Sequence, residues 1–314
     1  MNTTSVLNRS ALSRLKLFWA LSRMTHGFLD MATPAAAALL CLGGIPTPKV
    51  IFLGFITAFA GYTAVYALND VVDYRVDKEK IKSGKLCHAA GDLDGVYVRH
   101  PMAQGLLSYR EGIAWSLSWA IIALAGAYAL NPACALIFVL GSLLEVVYCL
   151  LLKISHLRTY VSGAVKTSGA MAAVFAVDPN PSWIFLIFLF LWLFSWEIGG
   201  QNVPNDWTDL EEDMELKAKT IPVRFGGEKS LRIILVSLAV AVTLSLVLYW
   251  ATPANLHPVY LLGALLAGTM LLLIPAYRLY AQGTPQLASA LFNRSSYYPL
   301  TMLIVVLVSS LMAG

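Results

Sequence analysis

Nine apolar stretches, most of them about as long as a bilayer is thick, leave this chain few ways to fold. They run near Phe28–Leu42, Val50–Leu68, Gly112–Leu130, Pro132–Leu152, Tyr160–Val177, Trp183–Gly200, Leu231–Trp250, Val259–Tyr280 and Tyr298–Met312, the first and last being short. Inside hydrocarbon a backbone N–H or C=O finds no water, so only helices or closed barrels cross, and stretches of this length suit helices. Hydrophobic residues make up 58% of the chain and charged residues 13%, which excludes an ordinary soluble domain. The expectation is an all-α polytopic membrane protein with nine transmembrane helices. Residues 1–24 read as a cytoplasmic, interfacial segment. There Leu12, Leu15, Phe18 and Trp19 interleave with Arg14, Lys16 and Arg23, and the apolar core of a cleavable signal is missing. Residues 25–314 then form one transmembrane domain.

The basic residues orient it. With the N-terminus in the cytoplasm, all of the 22 Lys and Arg except Lys49 and Lys166 fall on the inner side, as the positive-inside rule requires. A bacterial inner-membrane protein with cytoplasmic long loops is expected, surrounded by membrane lipid. The net charge of +4 belongs to those loops and implies no nucleic-acid partner; nothing implies an obligate protein partner. Cys41, Cys134 and Cys149 fall in spans and Cys87 in an inner loop, with no C-x-x-C. That argues against disulfides and zinc, leaving Cys87-His88 as half of a metal site only as a minor alternative.

One acidic pattern occurs twice. Asn69-Asp70-Val71-Val72-Asp73-Tyr74-Arg75-Val76-Asp77 and Asn205-Asp206-Trp207-Thr208-Asp209-Leu210-Glu211-Glu212-Asp213 both read N-D-x-x-D-x-x-x-D, and each follows an apolar stretch. On a helix, positions i, i+3 and i+7 share a face, so each copy presents a ladder of three carboxylates. An acidic run after a single helix is usually a solvated cap, but two copies in matched positions are not explained that way. Four spans separate them, so both lie on the same membrane side. Spans one to four and five to eight read as two four-helix pseudo-repeats, about 25–155 and 156–280, with the ninth helix, about 298–312, left over. Two carboxylates about 5 Å apart repel by roughly 3 kcal/mol at an effective dielectric near 20, so six in one cleft call for divalent metal. Magnesium held by a few carboxylates completes its shell with water and substrate phosphate, which points to diphosphate chemistry at a membrane face. The neutral amides of Asn69 and Asn205 add groups for the metal or a phosphate oxygen.

From about Arg23 to the C-terminus the chain resembles the UbiA superfamily of intramembrane prenyltransferases. Besides the two acidic motifs, Arg99-His100-Pro101-Met102-Ala103-Gln104-Gly105-Leu106-Leu107-Ser108 is similar to the family's R-P-L-A-x-G-x-x-S segment. Lys219-Thr220-Ile221-Pro222-Val223-Arg224-Phe225-Gly226 is similar to its basic-T-x-P-x-x-x-G ending. The resemblance implies transfer of a polyprenyl group from an allylic polyprenyl diphosphate to an acceptor, releasing diphosphate. Asp70, Asp73, Asp77, Asp206, Asp209 and Asp213 would hold two Mg2+ as Lewis acids. Lys219, Lys153 and Arg158 would bind the diphosphate, Arg99 and Tyr148 would bind substrate, and Arg23, before the first span, would face the acceptor. The family often has Tyr and Lys four apart near the loop after span four; here Tyr148 and Lys153 are five apart. Two more departures stand out. His100 separates Arg99 from Pro101, and about twenty residues, including Lys80, Lys82, Lys85, Asp92 and Asp94, separate Asp77 from Arg99. That insert reads either as a lid or as a solvated loop.

The expected acceptor is a hydroxylated aromatic acid, such as a 4-hydroxybenzoate-like quinone precursor. Alternatives are a lipid alcohol or a tetrapyrrole, and, in another class, a repeat-built secondary transporter. Asp30, Glu145, Lys166 and Glu197 are ionisable residues inside spans and His26 sits near an entrance. They are either functional or paired structurally, for instance Lys166 with Glu145 or Glu197. Phe185, Phe188, Phe190, Trp192, Phe194 and Trp196 in span six either line an isoprenoid tunnel or face lipid.

Overall fold

The computed structural model describes residues 13–82 and 98–313. The first residues of the N-terminal segment and the Cys87-His88 pair lie outside this range, as do Lys85, Asp92, Asp94 and most of the insert. Every regular element among the described residues is helical: α1 (13–21), α2 (Met24–Asp30), α3 (Ala32–Leu42), α4 (Pro48–Lys82), α5 (Tyr109–Leu130), α6 (Pro132–Leu150), α7 (Arg158–Val177), α8 (Trp183–Trp196), α9 (Val203–Thr208), α10 (Leu210–Glu215), α11 (Ile221–Ala251), α12 (Val259–Gly268), α13 (Ile274–Gln282), α14 (Pro285–Ser296) and α15 (Tyr298–Ala313). Single π-helical turns join α8 to α9 (Glu197–Asn202) and α12 to α13 (Thr269–Leu273).

Among the described residues, eight helices, some built from several of these elements, are long and apolar enough to cross a membrane. The ninth expected crossing, Phe28–Leu42, is instead the broken pair α2–α3. Pro34 has no N–H to give to the carbonyl of Asp30 four residues back, and the Thr33 hydroxyl donates to that oxygen in its place at 2.9 Å. The last crossing is longer than the sequence indicated, because α14 and α15 run from Pro285 to Ala313 with a break at Tyr297.

Two departures from simple spans position the acidic motifs. α4 has 35 residues, roughly 52 Å at the helical rise, well beyond a hydrocarbon core of about 30 Å. Its overhang carries Asp70, Asp73 and Asp77. The expected span Trp183–Gly200 runs on to Thr208 through the π turn. A Cβ on Gly199 within that turn would meet the Ile234 carbonyl oxygen at 2.9 Å, so the extra turn fits against α11 only because this position is bare.

The ring-rich span six is neither tunnel nor chiefly lipid face. Phe185, Trp192 and Trp196 are buried in the main core, which α8 builds with α11, α12 and α15. The indole N–H of Trp192 donates to Tyr298 Oη at 3.1 Å and that of Trp196 to the Ser295 carbonyl at 3.0 Å. A Trp is buried whole when its N–H finds an acceptor, and both do. The outward positions are Trp183, Ile184, Ile187 and Leu191.

The segment from Arg99 to Ser108 is seated on α5. Met102 is 1% exposed, lying where a Cβ on Gly112 would touch its Sδ at 2.0 Å. Ser108 then caps α5: its hydroxyl accepts from the Glu111 N–H at 3.2 Å, and its own N–H donates to Glu111 Oε2 at 2.8 Å.

Candidate active site

Both ladders open into one cavity of about 750 Å³, lined at one end by Asp73, Asp77, Asp206, Asp209 and Asp213. Asp70, Asp73 and Asp77 lie on the continuous helix α4, as the spacing predicts. The second ladder differs from that expectation. Asp209 interrupts it with φ −95° and ψ 15° between α9 and α10, so its carboxylates do not share a straight helix face. The break lets a six-residue α9 and a six-residue α10 wrap Asp206, Asp209 and Asp213 round the cavity end. Except for Asp73, all six are less than a tenth exposed.

Basic groups from four segments close on them. Arg158, at the start of α7 and 6% exposed, places Nη1 3.1 Å from Asp206 Oδ1, and its charge also acts on Asp213 and Asp73. One guanidinium thus spans both ladders. Its Cζ lies 4.2 Å from the centroid of the Tyr148 ring, within reach of a cation–π contact. Arg99 Nη2 is 3.5 Å from Asp209 Oδ2, and Arg23 Nη2 is 3.5 Å from Asp70 Oδ1. Lys80 lines the cavity and acts electrostatically on Asp73, Asp206 and Asp213. His100 Nδ1 sits 2.9 Å from Asp77 Oδ2 and 3.4 Å from Asp70 Oδ1.

These surroundings move the protonation equilibria at the cavity end. Burial alone would lower the His100 pKa, but Asp70 and Asp77 beside it outweigh that and raise it to about 9. Burial pushes Asp213 up to about 6, against the opposing pull of Lys80 and Arg158. Asp206 Oδ2, Asp209 Oδ1 and Asp213 Oδ2 are buried with no hydrogen-bond partner among the described residues. Crowded, underused carboxylate oxygens are a donor set that fits a hard divalent cation such as Mg2+.

Farther from the ladders the cavity is mainly apolar, passing Tyr62, Gly61 and Ala58 to Ala172, Ala173 and Ala176. One polar belt crosses its wall. Lys166 Nζ donates to Asp30 Oδ2 at 2.6 Å and to Tyr66 Oη at 2.9 Å, and Tyr66 Oη donates to the same carboxylate. Lys166 thus hydrogen-bonds Asp30, while its charge also acts on Glu145 and Glu197, which accept from Asn69 Nδ2 and Ser162 Oγ, each at 2.7 Å.

Other predicted site residues divide. Asn205, Tyr148, Arg158, Arg99, Arg23 and Asn69 line the cavity. The Asn69 amide is engaged by Arg23 at 3.2 Å and by Glu145, so it ties the start of the first ladder to Arg23 and to α6. Lys153 is exposed and paired with Glu79 at 2.7 Å. Lys219 is also exposed; its backbone N–H donates to the Leu152 carbonyl at 2.7 Å, and neither lysine lines the cavity. Sequence reasoning passed over Lys80, although it stands three residues after Asp77 and seven after Asp73, on the ladder's own face. The part played by His100 was not legible either, since it appeared only as a departure from a motif.

A model of the UbiA prenyltransferase family matches residues 31–297. The chain belongs to that family. The transporter alternative is thereby set aside, and this UbiA-family protein is a transferase of the prenyltransferase type. It is 24% identical over 255 residues to the 4-hydroxybenzoate octaprenyltransferase of Vibrio atlanticus, a match covering 76% of this chain and 83% of that protein. It is also 24% identical over 253 residues to the digeranylgeranylglyceryl phosphate synthase of Methanosarcina mazei, covering 79% of each. Among solved structures, a UbiA homolog from Archaeoglobus fulgidus bound to DMAPP and Mg2+ superposes with a TM-score of 0.65 at 16% identity, over 93% of this chain and 99% of that one. At that identity the likeness speaks for the fold.

Proposed function

We propose that this protein transfers a polyprenyl group from an allylic polyprenyl diphosphate to a hydroxylated aromatic acid of the 4-hydroxybenzoate kind, releasing diphosphate, with Mg2+ as cofactor. The observation that carries the reading is the meeting of two carboxylate ladders from separate parts of the chain at one end of a long apolar cavity. Asp70, Asp73, Asp77, Asp206, Asp209 and Asp213 would hold the metal, which supplies Lewis-acid polarisation of the diphosphate when bound. Arg158, Arg99 and Lys80 offset charge gathering on the departing diphosphate. They are fixed in place before the reaction, which is what makes such groups effective in a water-poor site. The apolar length from Gly61 to Ala176 takes the isoprenoid tail and keeps water from an allylic cation. The acceptor lies between the ladders and the Asp30–Lys166–Tyr66 belt, with Arg23 at its edge. The ladder end is assigned to the cytoplasmic side of a bacterial inner membrane, from the concentration of Lys and Arg there.

A second reading, prenyl transfer to a lipid alcohol, is favoured by the name of the Methanosarcina mazei relative. The test is a panel of aromatic acids and glycerol-phosphate lipids, each incubated with the purified protein, Mg2+ and allylic diphosphates of several lengths, with products read by mass spectrometry. A ring-alkylated aromatic acid is expected. Alkylation of the lipid alcohols alone would favour the second reading, and turnover of no acceptor would overturn both.

A further inference from the structure

His100 stands between Arg99 and Pro101 in the loop before α5. Its backbone adopts a left-handed φ of 49°, a conformation uncommon for any residue but glycine. Two contacts hold the turn: Gln104 Nε2 donates to the Arg99 carbonyl at 2.7 Å, and the Gln104 N–H to the His100 carbonyl at 3.1 Å. With Met102 seated under α5, the imidazole is delivered to one place.

That place has the dimensions of a coordination site. His100 Nδ1, Asp70 Oδ1 and Asp77 Oδ2 are buried, and their described polar contacts are with one another, apart from Arg23 Nη2 at 3.5 Å from Asp70 Oδ1. All three fall within 4.8 Å of one another. Around an octahedral ion with ligands at about 2.1 Å, neighbouring ligands stand about 3.0 Å apart and opposite ones about 4.2 Å. The 2.9 and 3.4 Å separations of Nδ1 from the two oxygens match neighbouring positions. Among the described residues the second ladder has no such histidine; Arg99 and Arg158 pair with it through guanidinium groups, which cannot ligate.

We infer that a divalent ion on the first ladder displaces the ring proton of His100 to solvent and takes the neutral imidazole as a direct nitrogen ligand, giving the protein two unequal metal sites, one all-oxygen and one mixed nitrogen–oxygen. Magnesium prefers oxygen donors, whereas imidazole suits first-row transition ions. The first-ladder site therefore favours Mn2+ over Mg2+. The inference rests on the reading that the ladders bind divalent ions, and needs nothing about the acceptor.

The test is pulsed EPR on the full chain in detergent, titrated with Mn2+ without substrate. Nitrogen modulation on bound Mn2+ is expected, changing from the 14N to the 15N pattern when the chain is labelled with 15N-histidine. In His100→Gln the modulation disappears while Mn2+ still binds, and the Mn2+ over Mg2+ preference falls at least about tenfold, the scale seen when groups supporting a metal are removed. Labelling tests the inference even if that variant does not fold. Saturable Mn2+ binding without nitrogen modulation, or modulation that persists in His100→Gln, overturns this inference and leaves the proposed reaction standing. Absence of any saturable binding would overturn it together with the metal reading of the ladders.

Discussion

Arg23 and His100 come from separate segments and approach the same oxygen of Asp70, at 3.5 and 3.4 Å. Both have positive φ, 43° and 49°. Each such backbone costs on the order of 1–3 kcal/mol and persists only where the surroundings hold it. Two strained backbones beside one buried carboxylate mean that the local fold concedes stability to place Arg23 and His100 at the end of α4.

Neutralising a ladder position should separate activity from stability. Asp73→Asn removes a carboxylate crowded by Asp77 and Asp70, so turnover falls at least about a hundredfold, on the scale of lost electrostatic catalysis, while the metal-free melting temperature holds or rises. Asp206→Asn also loses turnover but melts lower, because it strips the buried Arg158 of its counter-charge. Steady-state kinetics and thermal melts in detergent check both signs.

Arg158 and Lys153 neighbour the same short loop but should behave differently. Arg158→Gln leaves Asp206 buried without its partner and costs roughly 3–5 kcal/mol, with a higher KM for the diphosphate than for the acceptor. Lys153→Gln breaks only an exposed pair with Glu79, worth at most about 1 kcal/mol, and keeps a near-normal KM. A donor KM that rises in Lys153→Gln and not in Arg158→Gln would reverse the assignment.

Removing one partner of the belt should hurt more than removing both. Lys166→Met takes the lysine from Asp30, which is 1% exposed and keeps only Tyr66 and His26 as carboxylate partners among the described residues, and is expected to destabilise by about 3 kcal/mol. Combining it with Asp30→Asn recovers part of that loss, and denaturation of the four members of the cycle measures the coupling. Simple additivity would mean the pair acts independently.

Divalent ions should stabilise the fold as well as serve the reaction. Chelation lowers the melting temperature and Mg2+ restores it; at a hundred times Kd the linkage is worth about 2.7 kcal/mol. In Asp73→Asn/Asp209→Asn the shift shrinks. A melt indifferent to chelator in the unmodified protein would count against ion binding at the ladders.

Chain-length preference should respond far from the ladders. Ala173 lines the cavity fifteen residues along α7 from Arg158, roughly 22 Å at the helical rise. Ala173→Phe fills that end, and products with long tails decline relative to short ones under competition with mixed diphosphates. An unaltered length distribution would mean the tail leaves the cavity before reaching α7's far end.

Much of this was legible in the residues. Apolar run length gave the helical membrane fold, because hydrocarbon leaves the backbone no other partner. The repeated N-D-x-x-D-x-x-x-D gave the two ladders, because three- and four-residue steps repeat on a helix face. Other features were hidden for specific reasons. The π turn at Glu197–Asn202 and the break at Asp209 depend on what Gly199 and α9 pack against. Phe185, Trp192 and Trp196 read equally well as lipid-facing, because hydrophobicity does not tell core from bilayer.

The sequence by itself determined that the chain crosses a membrane as helices and carries two acidic ladders, since both follow from local periodicity and solvation. Only the tertiary structure decided which nitrogen groups meet those ladders, Arg158 and His100 rather than Lys153 and Lys219, and that Lys166 hydrogen-bonds Asp30. Pairing between distant segments depends on direction and separation in space, and in a one-dimensional reading every lysine near the right loop looks the same.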